Sequence, residues 1–212
     1  MLKGIIFDFD GTLAETNTLI LKAMEKTFMD LFGAYTDEQL LECIGPPLIV
    51  TGRRVFPEDP ELFVDTYRKY QFELHDSMVT AYPGVMEMLA KLHEMGLKLA
   101  IVTSKRRDAF SKGLRKLEME KYFDVTIAED DVTNYKPHPE SMNLVLSELG
   151  LSAVDCMMVG DNYHDILAAQ AVGMKSVAVG WAIKGIEFLK EYNPDFIMYE
   201  ADDIFGIIEK FK

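Results

Sequence analysis

Four short apolar runs, each closing on a polar, glycine-rich or acidic turn, constrain this chain more than any other feature of its sequence. They are GIIFDFD (4–10), LKLAIVTS (97–104), CMMVGD (156–161) and KSVAVGW (175–181). Two weaker runs are DVTIAED (124–130) and DFIMY (195–199). These lengths suit strands buried on both faces. Helical patterns lie between them. Val85, Met88, Leu89 and Leu92 repeat at helical spacing before Gly96; Met142, Val145, Leu146 and Leu149 do so before Gly150; Ile166, Leu167 and Ala171 precede Gly173. Glycine just past a helical repeat is a C-terminal stop signal. Strand and helix in alternation predict an α/β fold, a Rossmann-like parallel sheet with helices on both faces.

The stretch 15–81 breaks this rhythm and shows no convincing strand. Leu19, Ala23, Met24, Thr27, Phe28 and Leu31 form one helical face, and Leu62, Phe63, Thr66, Tyr67 and Tyr70 another. IGPPL (44–48) lies between them, with prolines suited to opening a helix. The expected organisation is a core of residues 1–14 and 82–212 carrying an inserted helical cap over 15–81. Tyr82, Pro83 and Gly84 mark the return to the core.

Composition narrows the partners. The formal net charge of −13 opposes binding to nucleic acid phosphates. No apolar run approaches the ~20 residues that span a bilayer, and the opening MLKGIIFDFDG lacks the long apolar stretch and cleavage site of a signal peptide. A cytoplasmic protein without membrane contact is expected. Cys43 and Cys156 match no metal or redox spacing and read as reduced, packed thiols. The thirteen methionines read as core filling.

In an open parallel sheet, ligands bind beyond the carboxyl ends of the strands. The first strong run ends in Asp8 and Asp10, with Gly11 next; the second ends in Thr103 and Ser104, with Lys105 next; CMMVGD ends in Asp161, with Asp165 beyond it; Lys136 sits in YKPHPE. Four carboxylates on one edge repel one another unless a hard cation neutralises them, and Mg²⁺ prefers oxygen ligands. Thr103 and Lys136 can contact the equatorial oxygens of a transferring phosphoryl group. Asp8 and Asp10 share a site only if the chain turns sharply after Asp8, which Gly11 permits.

DFDGTL, IVTSK, YKPHPE and GDNYHD together resemble the four motifs of the haloacid dehalogenase-like hydrolase superfamily, over nearly the whole chain and with the helical cap in the matching place. The resemblance implies that Asp8 becomes an aspartyl-phosphate and Asp10 is the general acid/base. It also implies that Asp161 binds Mg²⁺ with the Asp8 side chain and the Asp10 carbonyl. Asp165 becomes an outer carboxylate, and Thr103 and Lys136 become phosphate binders. More narrowly, IGPPL, HDSMVT, VTSKRRDAF, MVGDNYHDI, WAIKG and YNPDF resemble the inorganic pyrophosphatases that clear pyrophosphate released during dephosphorylation of serine-phosphorylated HPr. Phosphoglycolate phosphatases are close cousins. Glu15 departs from the Asp or Asn more usual at its position.

The expected substrate is therefore a small phosphorylated anion, with pyrophosphate first and 2-phosphoglycolate second. Lys105, by its place beside Thr103, is read as gripping a second phosphate or a carboxylate, and Ser104 and, in the cap, Gly45 as substrate-binding. Arg106 and Arg107 read as a solvated face, Arg53 and Arg54 as too far along their helix to reach the centre, His164 as a positioned loop residue and Trp181 as core or rim. A sugar phosphomutase shares the cap and nucleophile and is the alternative enzyme class. A dehalogenase does not need the acidic cluster, and a receiver domain places its aspartate on a middle strand of the sequence.

Overall fold

The computed structural model describes residues 1–211. In chain order the elements are β1 (Gly4–Phe7), β2 (Ala14–Glu15), α1 (Asn17–Phe32), α2 (Asp37–Glu42), α3 (Leu48–Val55), α4 (Pro60–Met78) and β3 (Thr80–Ala81). There follow α5 (Val85–Glu94), β4 (Lys98–Val102), α6 (Arg107–Lys116), β5 (Val125–Ile127), α7 (Glu140–Leu149) and β6 (Cys156–Gly160). The chain closes with α8 (Tyr163–Ala171), β7 (Lys175–Val179), α9 (Ile186–Lys190), β8 (Phe196–Met198) and α10 (Asp203–Lys210).

All six expected apolar runs form strands, and they pair in the order β5-β4-β1-β6-β7-β8. Every pairing is parallel. The α/β fold class read from the sequence holds. Alternate side chains leave opposite faces of a strand. Ile5 and Phe7 join Leu99, Ile101, Met157 and Val159 in one cluster, closed by Met88, Leu89 and Leu92 of α5 and Phe110 of α6. Ile6 joins Ala100, Val102 and Met158 in another, closed by Met142 and Val145 of α7 and Ala168 of α8. Most methionines fill these cores, and both cysteines are buried thiols outside any disulfide. Burial pushes the Cys156 thiol up to about 11, so it stays protonated and inert.

The chain divides into two compact units, one of Met1–Glu15 with the chain from Ala81 onward, the other Thr16–Thr80. The second unit is helical. α1 stops at Gly33, whose left-handed backbone (φ 73°) lets its N–H reach the Met29 carbonyl. Thr36 and Gln39 form a capping box that starts α2, and Asp59 with Pro60 starts α4. Ala23, Met24, Phe28, Leu40, Phe63 and Tyr67 make this unit's own core. Two short strands depart from expectation: β2 and β3 pair as a ribbon. Two residues per strand are too few for any alternation to show in the sequence. Among the described residues no helix is long and apolar enough to cross a membrane.

Ile101 is fully buried at the centre of the sheet. Ile101→Ala is expected to cost about 2–5 kcal/mol and lower the calorimetric unfolding midpoint by on the order of 10 °C, whereas the exposed Met95→Ala shifts it by less than about 2 °C.

Candidate active site

β1 ends at Phe7, so Asp8 is the first residue beyond the strand, with its N–H still bonded to the Val159 carbonyl at 2.9 Å. The chain then turns instead of continuing the pleat. Leu13 and Ala14 both donate to the Phe9 carbonyl, and Gly11, at φ 79°, donates to the Ala14 carbonyl. This is the turn that brings Asp8 and Asp10 to one side of the sheet edge.

Lys136 is the centre of the site. Its buried ammonium donates to Asp8 Oδ1 at 2.9 Å, Asp165 Oδ1 at 2.6 Å and the Val102 carbonyl at 2.9 Å. These three bonds use all of its donors. Asp165 is fixed at both ends, because its Oδ2 accepts the Asn162 N–H at 3.1 Å. Asn162 and Asp165 form the capping box of α8. Gly160 makes the fit possible, since a Cβ there would lie 2.4 Å from the Asp165 side chain.

Asp161 follows β6 directly, and carboxylate oxygens of Asp8, Asp161 and Asp165 lie within 4.8 Å of one another. Burial pushes the Asp8 carboxyl up to about 7 against the pull of Lys136. Burial and the neighbouring Asp8 also raise Asp161 well above its ordinary range. Burial opposes the charge on Lys136, but Asp165 and Asp8 outweigh it and hold the ammonium above the ordinary lysine value. Three buried carboxylates thus face one cation. An all-oxygen donor set with a buried excess of negative charge fits a hard divalent metal.

Thr103 and Lys105 stand beside this cluster. Thr103 follows β4 and accepts the Lys105 N–H on its hydroxyl oxygen at 3.1 Å. Lys105 Nζ reaches Asp10 Oδ1 at 2.6 Å, with only 8% of its side chain exposed. The structure therefore brings together Asp8, Asp161, Asp165 and Lys136, and separately joins Asp10 to Lys105; Ser104 is half-buried between Thr103 and Lys105. Gly45 lies in the helical unit, between α2 and α3, at φ 110°. In the same unit Arg54 donates to the Glu42 side chain at 3.0 Å and to its carbonyl at 2.9 Å, closing α3 back onto α2.

His164 is buried against Asn162, and burial lowers its imidazole to about 4, so it is neutral at pH 7. Trp181 packs at the rim of the core against Tyr82. One expectation needs amendment. Arg107 is not a solvated face: its guanidinium donates to the Thr126 hydroxyl at 2.7 Å, the Thr126 carbonyl at 2.8 Å and Asp131. Asn162 went unread, although an Asn three residues before an Asp at the start of an apolar helix is a capping signature.

The family model described as haloacid dehalogenase-like hydrolase matches residues 5–179, and the chain belongs to that family. It is similar to proteins named pyrophosphatase PpaX. That of Halalkalibacterium halodurans is 42% identical over 98% of this chain and 97% of its own length. That of Bacillus pumilus is 42% identical over 98% and 96%. Among solved structures, a predicted phosphoglycolate phosphatase from Haemophilus somnus superposes with a TM-score of 0.87 at 24% identity, covering 98% of each chain, a likeness of fold.

The site's charge predicts a stability profile. The folded-state pKa of Asp8, about 7, lies above its ordinary 3.8, so the native state binds the proton more tightly. In metal-free protein, stability is present below about pH 4 and is lost as pH rises toward about 7; Asp161 acts in the same direction, and Lys136 titrates above this window. A bound divalent cation offsets the loss, so its addition raises the unfolding midpoint more at about pH 8 than at about pH 5, measured by scanning fluorimetry after chelation.

Proposed function

We propose that this protein is a Mg²⁺-dependent, cytoplasmic phosphohydrolase that cleaves inorganic pyrophosphate through a phosphorylated Asp8. The observation that carries the chemistry is the setting of Asp8: buried, at a strand end, with Lys136 on one oxygen. The likeness to proteins named pyrophosphatase, over nearly the full length of both chains, supports the choice of substrate.

Lys136 holds Oδ1 of Asp8 and so orients the carboxylate, leaving its second oxygen to attack phosphorus. The P–O bond to the leaving phosphate breaks as the Asp8–phosphorus bond forms. The Thr103 hydroxyl is placed to hold an oxygen of the transferring group. Asp8, Asp161 and the Asp10 carbonyl would hold Mg²⁺, with Asp165 outside them, anchored by Lys136 and Asn162. When bound, the metal supplies charge that lets an anionic carboxylate approach an anionic substrate. Asp10 donates a proton to a basic leaving group and then takes one from the water that hydrolyses the aspartyl-phosphate. Lys105, now paired with Asp10, is placed to exchange that partner for the leaving phosphate.

A panel of pyrophosphate, 2-phosphoglycolate, hexose 1-phosphate and p-nitrophenyl phosphate, assayed with Mg²⁺, decides the substrate. Pyrophosphate is expected to give the highest kcat/KM. A preference for phosphoglycolate, or hexose 6-phosphate formed without free phosphate, refutes that choice. Asp8→Asn should lower turnover of every substrate by more than about a thousandfold while circular dichroism shows an intact fold. Folded variant retaining most activity would exclude a covalent role.

Lys105→Ala separates the leaving group from the rest. It should raise KM for pyrophosphate by about tenfold and change kcat/KM for p-nitrophenyl phosphate, whose leaving group has no second phosphate, by less than about threefold. Equal losses on both would remove Lys105 from the leaving-group site.

A further inference from the structure

Lys105 sits on the loop between β4 and α6, and its ammonium donates to Asp10 Oδ1 at 2.6 Å. The loop is held by the segment that follows β5. The Glu129 N–H donates to the Lys105 carbonyl at 3.1 Å, and the Arg107 N–H donates to Asp130 Oδ1 at 2.9 Å. The Arg107 guanidinium completes the clamp. β5 is an edge strand, and its Ile127 carbonyl faces β4 by accepting the Thr103 N–H at 2.9 Å. The Thr126 carbonyl, one residue earlier, therefore points to the open edge, away from the ladder. Arg107 takes that carbonyl at 2.8 Å and the Thr126 hydroxyl at 2.7 Å. It also takes Asp131 Oδ2, which the Ala128 N–H holds from the other side at 2.8 Å. The neighbouring Arg106 makes only looser pairs, at 3.7 Å to Asp108 and 3.8 Å to Asp130.

We propose that Arg107 is a positioning residue that locks Lys105 against Asp10 by tying its loop to the β5 edge, and so sets affinity for the leaving half of the substrate. The second half of this statement rests on the pyrophosphate reading; the first does not. The two terminal nitrogens of the planar guanidinium spread over the Thr126 hydroxyl, the Thr126 carbonyl and Asp131, a fixed fork geometry that a lysine's flexible point charge does not reproduce. Arg107 touches no reacting group, so its effect passes through Lys105.

Two measurements on Arg107→Gln test the halves separately. The first is labelling of lysine amines with acetic anhydride, followed by peptide mass spectrometry, with the exposed Lys3 as internal reference. Lys105 is expected to be slow in the wild type and to react at least about fivefold faster, relative to Lys3, in the variant. An unchanged ratio overturns the positioning role, whatever the substrate is. The second is a double-mutant cycle with Lys105→Ala. Arg107→Gln alone should raise KM for pyrophosphate about tenfold with kcat within about threefold, and should add nothing to KM in the Lys105→Ala background. Full additivity, or equal loss on p-nitrophenyl phosphate, would show a scaffold effect and overturn the proposed link to affinity. If wild-type protein does not turn over pyrophosphate, the substrate reading and the affinity link fall together, and the labelling result still decides whether Arg107 holds Lys105.

Discussion

The buried ammonium of Lys136 is the contact around which the site is organised. It joins the ends of three strands' worth of chain: Asp8 after β1, the Val102 carbonyl of β4 and Asp165 beyond β6. A single lysine buried among apolar residues tends to lose its proton. Here two carboxylates reverse that tendency, and the charge is kept where it is most effective, in a region of low dielectric. The same arrangement leaves an excess of negative charge among Asp8, Asp161 and Asp165. That excess, in an all-oxygen donor set, fits a hard divalent cation.

The sheet explains why these groups meet. β1 is flanked on both sides by parallel neighbours, and its register places Phe7 opposite Ile101 and Val159. The residues just past those positions therefore fall along one line at the carboxyl edge. Gly160 then lets α8 begin close enough for Asp165 to reach back. Core packing and site geometry are consequences of the same alternation of side chains.

Much of this was legible in the sequence for a physical reason. Strands buried on both faces must be apolar throughout, and catalytic residues must follow them at the edge, so both signals lie close together in the chain. What escaped was set by distance along the chain. Lys105 and Asp10 are 95 residues apart, and nothing in either segment announces the pair. Arg107 reads as one more surface arginine until the fold puts Thr126 and Asp131 beside it. The β2–β3 ribbon is too short to leave a pattern, and α6 is too polar to look like a core helix although Phe110 and Leu114 are buried.

The position of β1 has a consequence for synthesis. It is made before both of its sheet neighbours, which lie far downstream, β4 at Lys98–Val102 and β6 at Cys156–Gly160. The helical unit of Thr16–Thr80 has its own apolar cluster and contacts that are closer in sequence. Short-range contacts close faster than long-range ones. On the ribosome the strand that leads into Asp8 must wait, unpaired, until β4 at Lys98–Val102 emerges, and Asp8 acquires Lys136 only when the central sheet closes around it.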